Sequence, residues 1–429
     1  MADDRGKPGI RDRLRKSGLL TRDFSILMSA LVVVSLGFGL LAPIMPELAR
    51  NLGITDGAMG GIFALYFVAL VLALPPSGYL ADKVGRKKMI IGGLIVFSVT
   101  TFGLAFVTDA LQFAVLRAIE GVGAAMVAPA TFALTIDIVP EDKRATAMGI
   151  EGTVQMIGIF AGPAIGGYIA GEINFIYPFY LGAGLSVLCA IIVSSIKEPA
   201  RSQSDEHPSL FTMFGAWKRN VQANRTLIAL TVRGLVMGIV QGLFMLGLIL
   251  YWYDEISMSL TEVGIAMSIG TAVMAAGTLY FGTLSDKHGR VPFILIGGAI
   301  MATGLAGMIF AENVMHIYIL MAISELGAAI SNPSVGALLA DTMLKEERGR
   351  VMGAYQTVQG IGNILGLTGL SIVYARISHD APIIVGAAAL ALATAIIAIY
   401  VRDKKRLPAT GANSTSTNIT AIRSTPKDE

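Results

Sequence analysis

Apolar residues run through this chain in long blocks separated by short polar turns, without the alternation that a half-buried strand shows. The blocks fall at about 24–47, 58–81, 89–107, 110–138, 145–171, 175–196, 226–253, 261–285, 291–311, 315–341, 350–376 and 381–401. A helix needs roughly 20 mostly apolar residues to cross the hydrocarbon core of a bilayer, and each block is of about that length or longer. The pattern predicts an all-α integral membrane protein with twelve transmembrane helices, 1 to 12 in chain order, six in each half.

The polar stretches divide the chain. Residues 1–23 form a basic tail, 24–196 the first six-helix bundle, 197–224 a linker, 225–401 the second bundle, and 402–429 a second tail. In the linker, Phe211, Phe214 and Trp217 predict a short helix lying on the membrane surface. The final tail is rich in Ser, Thr and Asn and is expected to be disordered. Asn413-Ser-Thr and Asn418-Ile-Thr match glycosylation patterns, but a cytoplasmic tail would never meet the enzyme.

The two halves repeat each other. Gly78, Asp82, Gly85 and Arg86 recur as Gly282, Asp286, Gly289 and Arg290, always at an offset of 204. The same offset carries Gly123 to Gly327, Pro129 to Pro333, Asp137 to Asp341, Arg144 to Arg348 and Thr153-Val154-Gln155 to Thr357-Val358-Gln359. A membrane chain of two parallel halves is a common transporter plan, with the substrate path between them.

Composition agrees. Hydrophobic residues make up 54% and charged residues 15%, against about 25% charged in a typical soluble domain. The single cysteine, Cys189, excludes an internal disulfide and a thiolate metal cluster, and four histidines argue against a histidine metal site. No metal, cofactor or nucleic acid is expected. No short apolar core with a cleavage site follows the basic start, so no cleaved signal peptide is expected. Basic residues gather on one set of turns: Lys83, Arg86, Lys87, Lys88, Lys143, Arg144, Lys197, Lys218, Arg219, Lys287, Arg290, Lys345 and Arg348. The opposite turns carry little beyond Arg50 and Arg376. The basic side should be cytoplasmic, and an even number of spans puts both termini there.

The turn after helix 2 reads Gly78-Tyr-Leu-Ala-Asp82-Lys-Val-Gly85-Arg86-Lys87-Lys88. Gly78 permits close helix contact and Gly85 a tight turn. Asp82 can accept hydrogen bonds from a neighbouring helix N-terminus or pair with Arg86. Such contacts act as a latch if they hold in one conformation and break in another. The pattern resembles the signature loop of the major facilitator superfamily, and Gly282-Thr-Leu-Ser-Asp286-Lys-His-Gly289-Arg290 matches it nearly as well. The resemblance covers about residues 24–401. It implies two pseudo-symmetric six-helix bundles around a central cavity, with alternating access as the bundles rock. It also implies that Asp137, Arg144, Asp341 and Arg348 join the latches, which would stabilise the state closed to the cytoplasm. Helix capping would explain those four residues equally well.

Helix 4 places Arg117 and Glu120 three positions apart on one face, deep in a span where a charge must be paired or hydrated. The segment resembles the helix 4 motif of proton-coupled members, in which a polar residue, often Gln, follows the Arg by three positions. Glutamate can carry a proton where glutamine cannot, so Glu120 is a coupling candidate, against a static ion pair that fixes packing. Helix 5 carries Gly158, Gly162, Pro163, Gly166 and Gly167. This run resembles the helix 5 signature of the drug:proton antiporters and points to export, against plain glycine packing. Leu367 replaces Pro163 in the repeat, so the element occurs once. Glu325 lies one residue from the repeat image of Glu120 and is a second proton-carrier candidate, against a static packing role. Arg233 is either its counter-ion or a snorkelling residue. Tyr66, Gln155, Arg233, Gln241, Gln359 and Asn363 are cavity candidates, against ordinary interhelical packing and hydrogen bonding. Helix 1 has no carboxylate in its middle, where some drug antiporters keep one, which counts against cationic drugs.

The resemblance implies a non-enzymatic secondary transporter, monomeric, in a prokaryotic inner membrane or one derived from it. Its partners are a small-molecule substrate, protons and the lipid bilayer. Proton-coupled efflux of an organic compound or drug is the leading expectation. Transport of a specific metabolite or metal chelate, by uptake or export, and a non-transporting sensor or scaffold are the alternatives. No phosphate-binding loop of the Walker type and no nucleophile–base arrangement is visible.

Overall fold

The computed structural model describes residues 21–198, 210–224, 226–344 and 347–401. Both predicted tails, nearly in full, and the middle of the linker lie outside them, including Asn413 and Asn418. Among the described residues, twelve helices are long and apolar enough to cross a membrane. They are α1 (Arg22–Leu41), α2 (Asp56–Val84), α3 (Arg86–Leu104), α4 (Ala110–Ile138), α5 (Thr146–Ile173), α6 (Tyr177–Ser194), α7 (Thr226–Asp254), α8 (Leu260–His288), α9 (Val291–Phe310), α10 (Val314–Thr342), α11 (Arg350–Arg376) and α12 (Ala381–Tyr400). In a bilayer every backbone N–H and C=O must be satisfied within the protein, and helices do this segment by segment. Large apolar side chains such as Leu72, Leu111, Phe310 and Leu392 stand on the outside. Such a surface is stable only against lipid, so the chain is an integral multi-pass membrane protein.

The first span is shorter than the apolar pattern suggests. It stops at Leu41, and a separate short helix, Met45–Asn51, follows. Pro43 and Pro46 lack the N–H groups that would carry one helix through, and Pro46 starts the new one instead. The linker forms the helix Leu210–Ala223, but it does more than lie on a surface. Its Ala216 and Asn220 are buried, Trp217 Nε1 donates to Thr231 Oγ1 at 3.1 Å, and Asn220 Nδ2 donates to Glu347 at 2.6 Å. This helix is docked on the second bundle.

Lipid is as apolar as leucine, so helices in a bilayer gain little by hiding apolar surface from one another and hold by close contact instead. Glycine stripes supply it. A Cβ on Gly162 of α5 would stand 2.6 Å from the Gly39 Cα of α1, and one on Gly158 would stand 2.6 Å from the Leu36 nitrogen. The repeat does the same: Gly362 and Gly366 of α11 press α7 at Gly238 and Ile239. The predicted helix 5 run thus sets the α1–α5 contact, while its Pro163 and Gly167 face α8 in the other half at Gly264 and Leu260. Ala164 N–H donates across the halves to Ser268 Oγ at 3.0 Å.

The halves meet at one end and part at the other. At the end carrying Arg50, a single apolar cluster contains Ile44 and Phe63 of the first half and Leu246 and Tyr374 of the second. At the basic end the cores are separate, one around Leu27 and Leu134, the other around Leu230 and Leu339. There α5 and α8 flank a cavity of about 540 Å³ between Met148, Phe160 and Leu279.

A polar lock closes the Arg50 end. Arg50 donates through both terminal nitrogens to Asp254, at 2.7 Å each, and through Nε to Asp56 at 3.2 Å. Tyr374 donates to Asp254 at 2.5 Å, Tyr253 to the Pro43 carbonyl at 2.7 Å, and His379 stacks on Tyr374 with ring centres 4.4 Å apart. Arg50 and Asp254 are separated by the repeat offset of 204, so they are repeat mates with opposite charges. Burial works against the Arg50 charge, but the hydrogen bonds to Asp254 and Asp56 outweigh it and hold its pKa above the ordinary value.

Two outcomes are expected. Gly162→Ala should destabilise the protein by about 1–3 kcal/mol, because the added methyl meets the α1 backbone. Gly152→Ala, which would meet nothing within 4 Å, should not destabilise it. Thermal unfolding in detergent separates them, and equal midpoints would refute the glycine contact. A Cβ on Gly57 would stand 3.3 Å from the Ala375 Cβ across the halves, close to disulfide range. Gly57→Cys with Ala375→Cys, in a Cys189→Ser background, should therefore cross-link readily, and adding Asp254→Asn should slow cross-linking. An unchanged rate, read by thiol labelling, would show that Arg50–Asp254 does not hold that end.

Candidate functional site

The turn after α2 begins at Gly85, whose φ of +114° suits only glycine comfortably, and its repeat mate Gly289 has φ +95°. Each turn aims an arginine back at the neighbouring bundle helix. Arg86 bonds to Asp137 and to the Ala133 carbonyl, the latter at 2.9 Å, with Asp82 3.8 Å away. Arg290 bonds to Asp341, to the Ala337 carbonyl at 2.5 Å and to Asp286 at 3.3 Å. The two arginines thus make the same contacts at the repeat offset, and these contacts stay within one half. Arg144 reaches Glu141 at 3.2 Å and the Ile136 carbonyl at 3.4 Å, so Asp137 is held by Arg86 instead. Arg348 is exposed. Gly78 is not in the close helix contact expected of it: a Cβ there would meet nothing within 4 Å, and at Gly282 it would touch only Pro333 at 3.5 Å. Both lie toward the end where the halves have parted.

Two cavities adjoin inside the protein, and Thr271 of α8 lines both. The first, of about 160 Å³, lies between Phe38, Phe67, Pro163 and Met245, with Arg117 and Glu120 on its wall. These two residues form an ion pair, both are buried, and the guanidinium sits over the Tyr66 ring at 4.7 Å and the Phe63 ring at 5.6 Å. Tyr66 therefore backs the ion pair and does not line the cavity, while its neighbour Phe67 does. The second cavity, of about 260 Å³, contains Glu325 with Gln241, Asn332, Gln359 and Phe244. No basic side chain pairs with Glu325 among the described residues. Gly270 of α8 gives it room: a Cβ there would stand 3.0 Å from Glu325 Cγ.

Arg233 behaves in none of the expected ways. It is 1% exposed, so it does not snorkel, and its guanidinium bonds to Ser331 and not to Glu325. Its depth in the second bundle, against α10 and beside Tyr355 and Gly234, keeps it from both cavities. Asn363 is also buried, with Nδ2 4.0 Å from Met245 Sδ. Gln155 lines neither cavity.

Sequence reasoning missed the lock and the shared wall. Arg50 stood out only as one of two basic residues on the opposite side, yet adding the repeat offset to it gives Asp254. That arithmetic could have found the pair. Nothing in the sequence points to Thr271 or the methionines around it.

The sequence model of the Major Facilitator Superfamily matches residues 27–253 and 230–426. The quinolone resistance protein NorA of Staphylococcus aureus is 27% identical over 353 residues, covering 81% of this chain and 88% of that protein. Multidrug resistance protein 2 of Bacillus subtilis is 28% identical over 360 residues, covering 80% and 86%. An uncharacterised MFS-type transporter of Methanocaldococcus jannaschii is 26% identical over 350 residues, covering 81% and 90%. Among solved structures, a bacterial homologue of the human lysosomal transporter Spinster, inward-facing and occupied, superposes with a TM-score of 0.74 at 16% identity, over 89% of this chain and 96% of that one. A D-xylose–proton symporter gives 0.71 at 15% identity, over 89% and 98%. With both halves matched by the superfamily model and the fold shared with solved transporters, this chain belongs to the major facilitator superfamily and is a transporter, not an enzyme.

Proposed function

We propose that the protein is a proton-coupled exporter of small organic compounds. The observation that carries this reading is the pair of adjoining cavities, each with one carboxylate on its wall and both bounded by Thr271. A carboxylate can be charged or neutral, so its interaction with a substrate, or with Arg117, changes when a proton arrives. Glu120 exchanges its proton as the Arg117 pair opens, and Glu325 exchanges its own in the second cavity. The apolar walls, built from Phe38, Phe67, Met245 and Phe244, suit a drug-sized organic molecule. The relatives named for quinolone and multidrug resistance support the same substrate class.

In this reading the basic end is cytoplasmic, both termini lie inside, and the protein works as a monomer in a prokaryotic inner membrane. The parted halves at the basic end make this the inward-open state. The Arg50–Asp254 lock closes the outside, and the Asp82 and Asp286 turns engage when the inside shuts.

The test uses liposomes that contain a pH-sensitive dye, with a proton gradient imposed and quinolones, other drugs, metabolites and metal chelates added in turn. Substrate should drive proton movement in the wild type. Glu325→Gln and Glu120→Gln should each abolish it while leaving the protein folded. Proton movement that survives in both variants would remove these carboxylates from the mechanism. Substrate flux that ignores the gradient would refute proton coupling.

A further inference from the structure

The first bundle holds a buried carboxylate that neither cavity uses. Glu151 of α5 is 6% exposed, and its Oε2 has no hydrogen-bond partner. Thr135 of α4 lies against it. Thr131 stands one turn earlier on the same face of α4, and both hydroxyls are buried without a partner. Most threonines elsewhere in the spans behave differently, although the Thr101 hydroxyl of α3 is likewise buried without a partner. Thr153, Thr231, Thr357 and Thr394 each donate to the carbonyl four residues back, at 2.9, 2.7, 2.9 and 2.8 Å. The hydroxyls of Thr131 and Thr135 make no such bond and are free for a carboxyl group.

The repeat shows that packing does not require a carboxylate here. Adding 204 to Thr131, Thr135 and Glu151 gives Val335, Leu339 and Tyr355. All three belong to, or pack against, the apolar core of the second bundle. The fold fills the three equivalent positions with Val335, Leu339 and Tyr355, the last beside the buried Arg233, so no carboxylate is needed there for packing. Around it, Ala147, Ile150 and Val154 join the apolar cluster of Leu27, Leu31 and Leu134.

We propose that Glu151, with Thr131 and Thr135, is a proton-binding site inside the first bundle, distinct from the central cavities. The hydroxyl is suited to both states, because it donates to a carboxylate and accepts from a carboxylic acid. Several charges on the elements packed against it are engaged with other partners. On α4, Asp137 is held by Arg86, and Arg117 is paired with Glu120. Before α5, Arg144 is paired with Glu141. On α1, Arg22 and Asp23 lie at the helix start, and on α8, Glu262, Asp286, Lys287 and His288 lie at the two ends. None of them is bonded to Glu151 among the described residues. Glu151 sits on the helix whose Ala164 bonds to Ser268 of the other half, about 20 Å further along. A change of charge there acts on the element that joins the bundles. This role in coupling rests on the proton-coupled reading; the binding of the proton does not.

Infrared difference titration of the full chain in lipid tests it directly. The wild type should show the carbonyl band of a protonated carboxylic acid that Glu151→Gln removes. Glu151→Asp, which keeps the carboxyl group, should retain the band at a shifted midpoint. Thr131→Val with Thr135→Val should also shift the midpoint. A titration in Glu151→Gln superposable on the wild type would overturn the proposal, as would a band displaced by sodium ions at constant pH. If the band titrates as expected while substrate drives no proton movement in wild-type liposomes, the exporter reading fails and the proton site stands.

Discussion

Close backbone contact between helices is the interaction on which this structure depends. In water, helices associate because they hide apolar surface. In lipid that gain nearly vanishes, and van der Waals contact must replace it. Gly158 and Gly162 let α5 settle on α1, and Gly362 and Gly366 let α11 settle on α7. The same α5 turns its Pro163 and Gly167 toward α8 of the other half. One helix therefore both belongs to its bundle and closes the joint between the bundles. A side chain larger than hydrogen on that stripe would separate α5 from α1 and move everything α5 carries.

The coupling candidates lie where the repeat is broken. The repeated parts are mechanical: the Gly85 and Gly289 turns, and the arginine bonds from Arg86 and Arg290. Every candidate for coupling is unequal between the halves. Glu120 faces a serine in the repeat, and Glu325 a glycine. Arg50 and Asp254 show a third use of the same freedom. They are mates with opposite charges, so the repeat relation that would bring like groups together brings an ion pair together instead. Partly buried and bidentate, this pair has the geometry in which an ion pair contributes more than it would on an open surface.

The distribution of polar contacts also explains why one end is shut. At the Arg50 end, charged and aromatic side chains of both halves satisfy one another, and the apolar core is continuous. At the basic end, the arginines spend their hydrogen bonds within their own bundle. Nothing in those contacts ties one half to the other, and the cores beneath them are separate. In this structure the bonds that cross between the halves lie at the Arg50 end, and the arginine bonds at the basic end do not cross.

The number of spans, the repeat, the tight turns and the deep Arg117–Glu120 pair were all legible in the sequence. Each is local: apolar length, an offset, a glycine, or a three-residue spacing on one helix decides it. The break at Pro43 and Pro46 was legible too, but the apolar run across it hid it. Rotation of a helix about its axis is not local. It is set by packing against neighbours distant in the chain, and it decides whether a polar group meets a cavity, a partner or another core. That is why Gln241 and Gln359 reach a cavity while Arg233 and Asn363 turn into the bundle, and why Thr271 joins two cavities without any signal of its own. By itself the sequence determined the helices, their repeat and the chemical groups they carry. Only the tertiary structure decided which groups face one another, because that depends on how twelve helices fit together side by side.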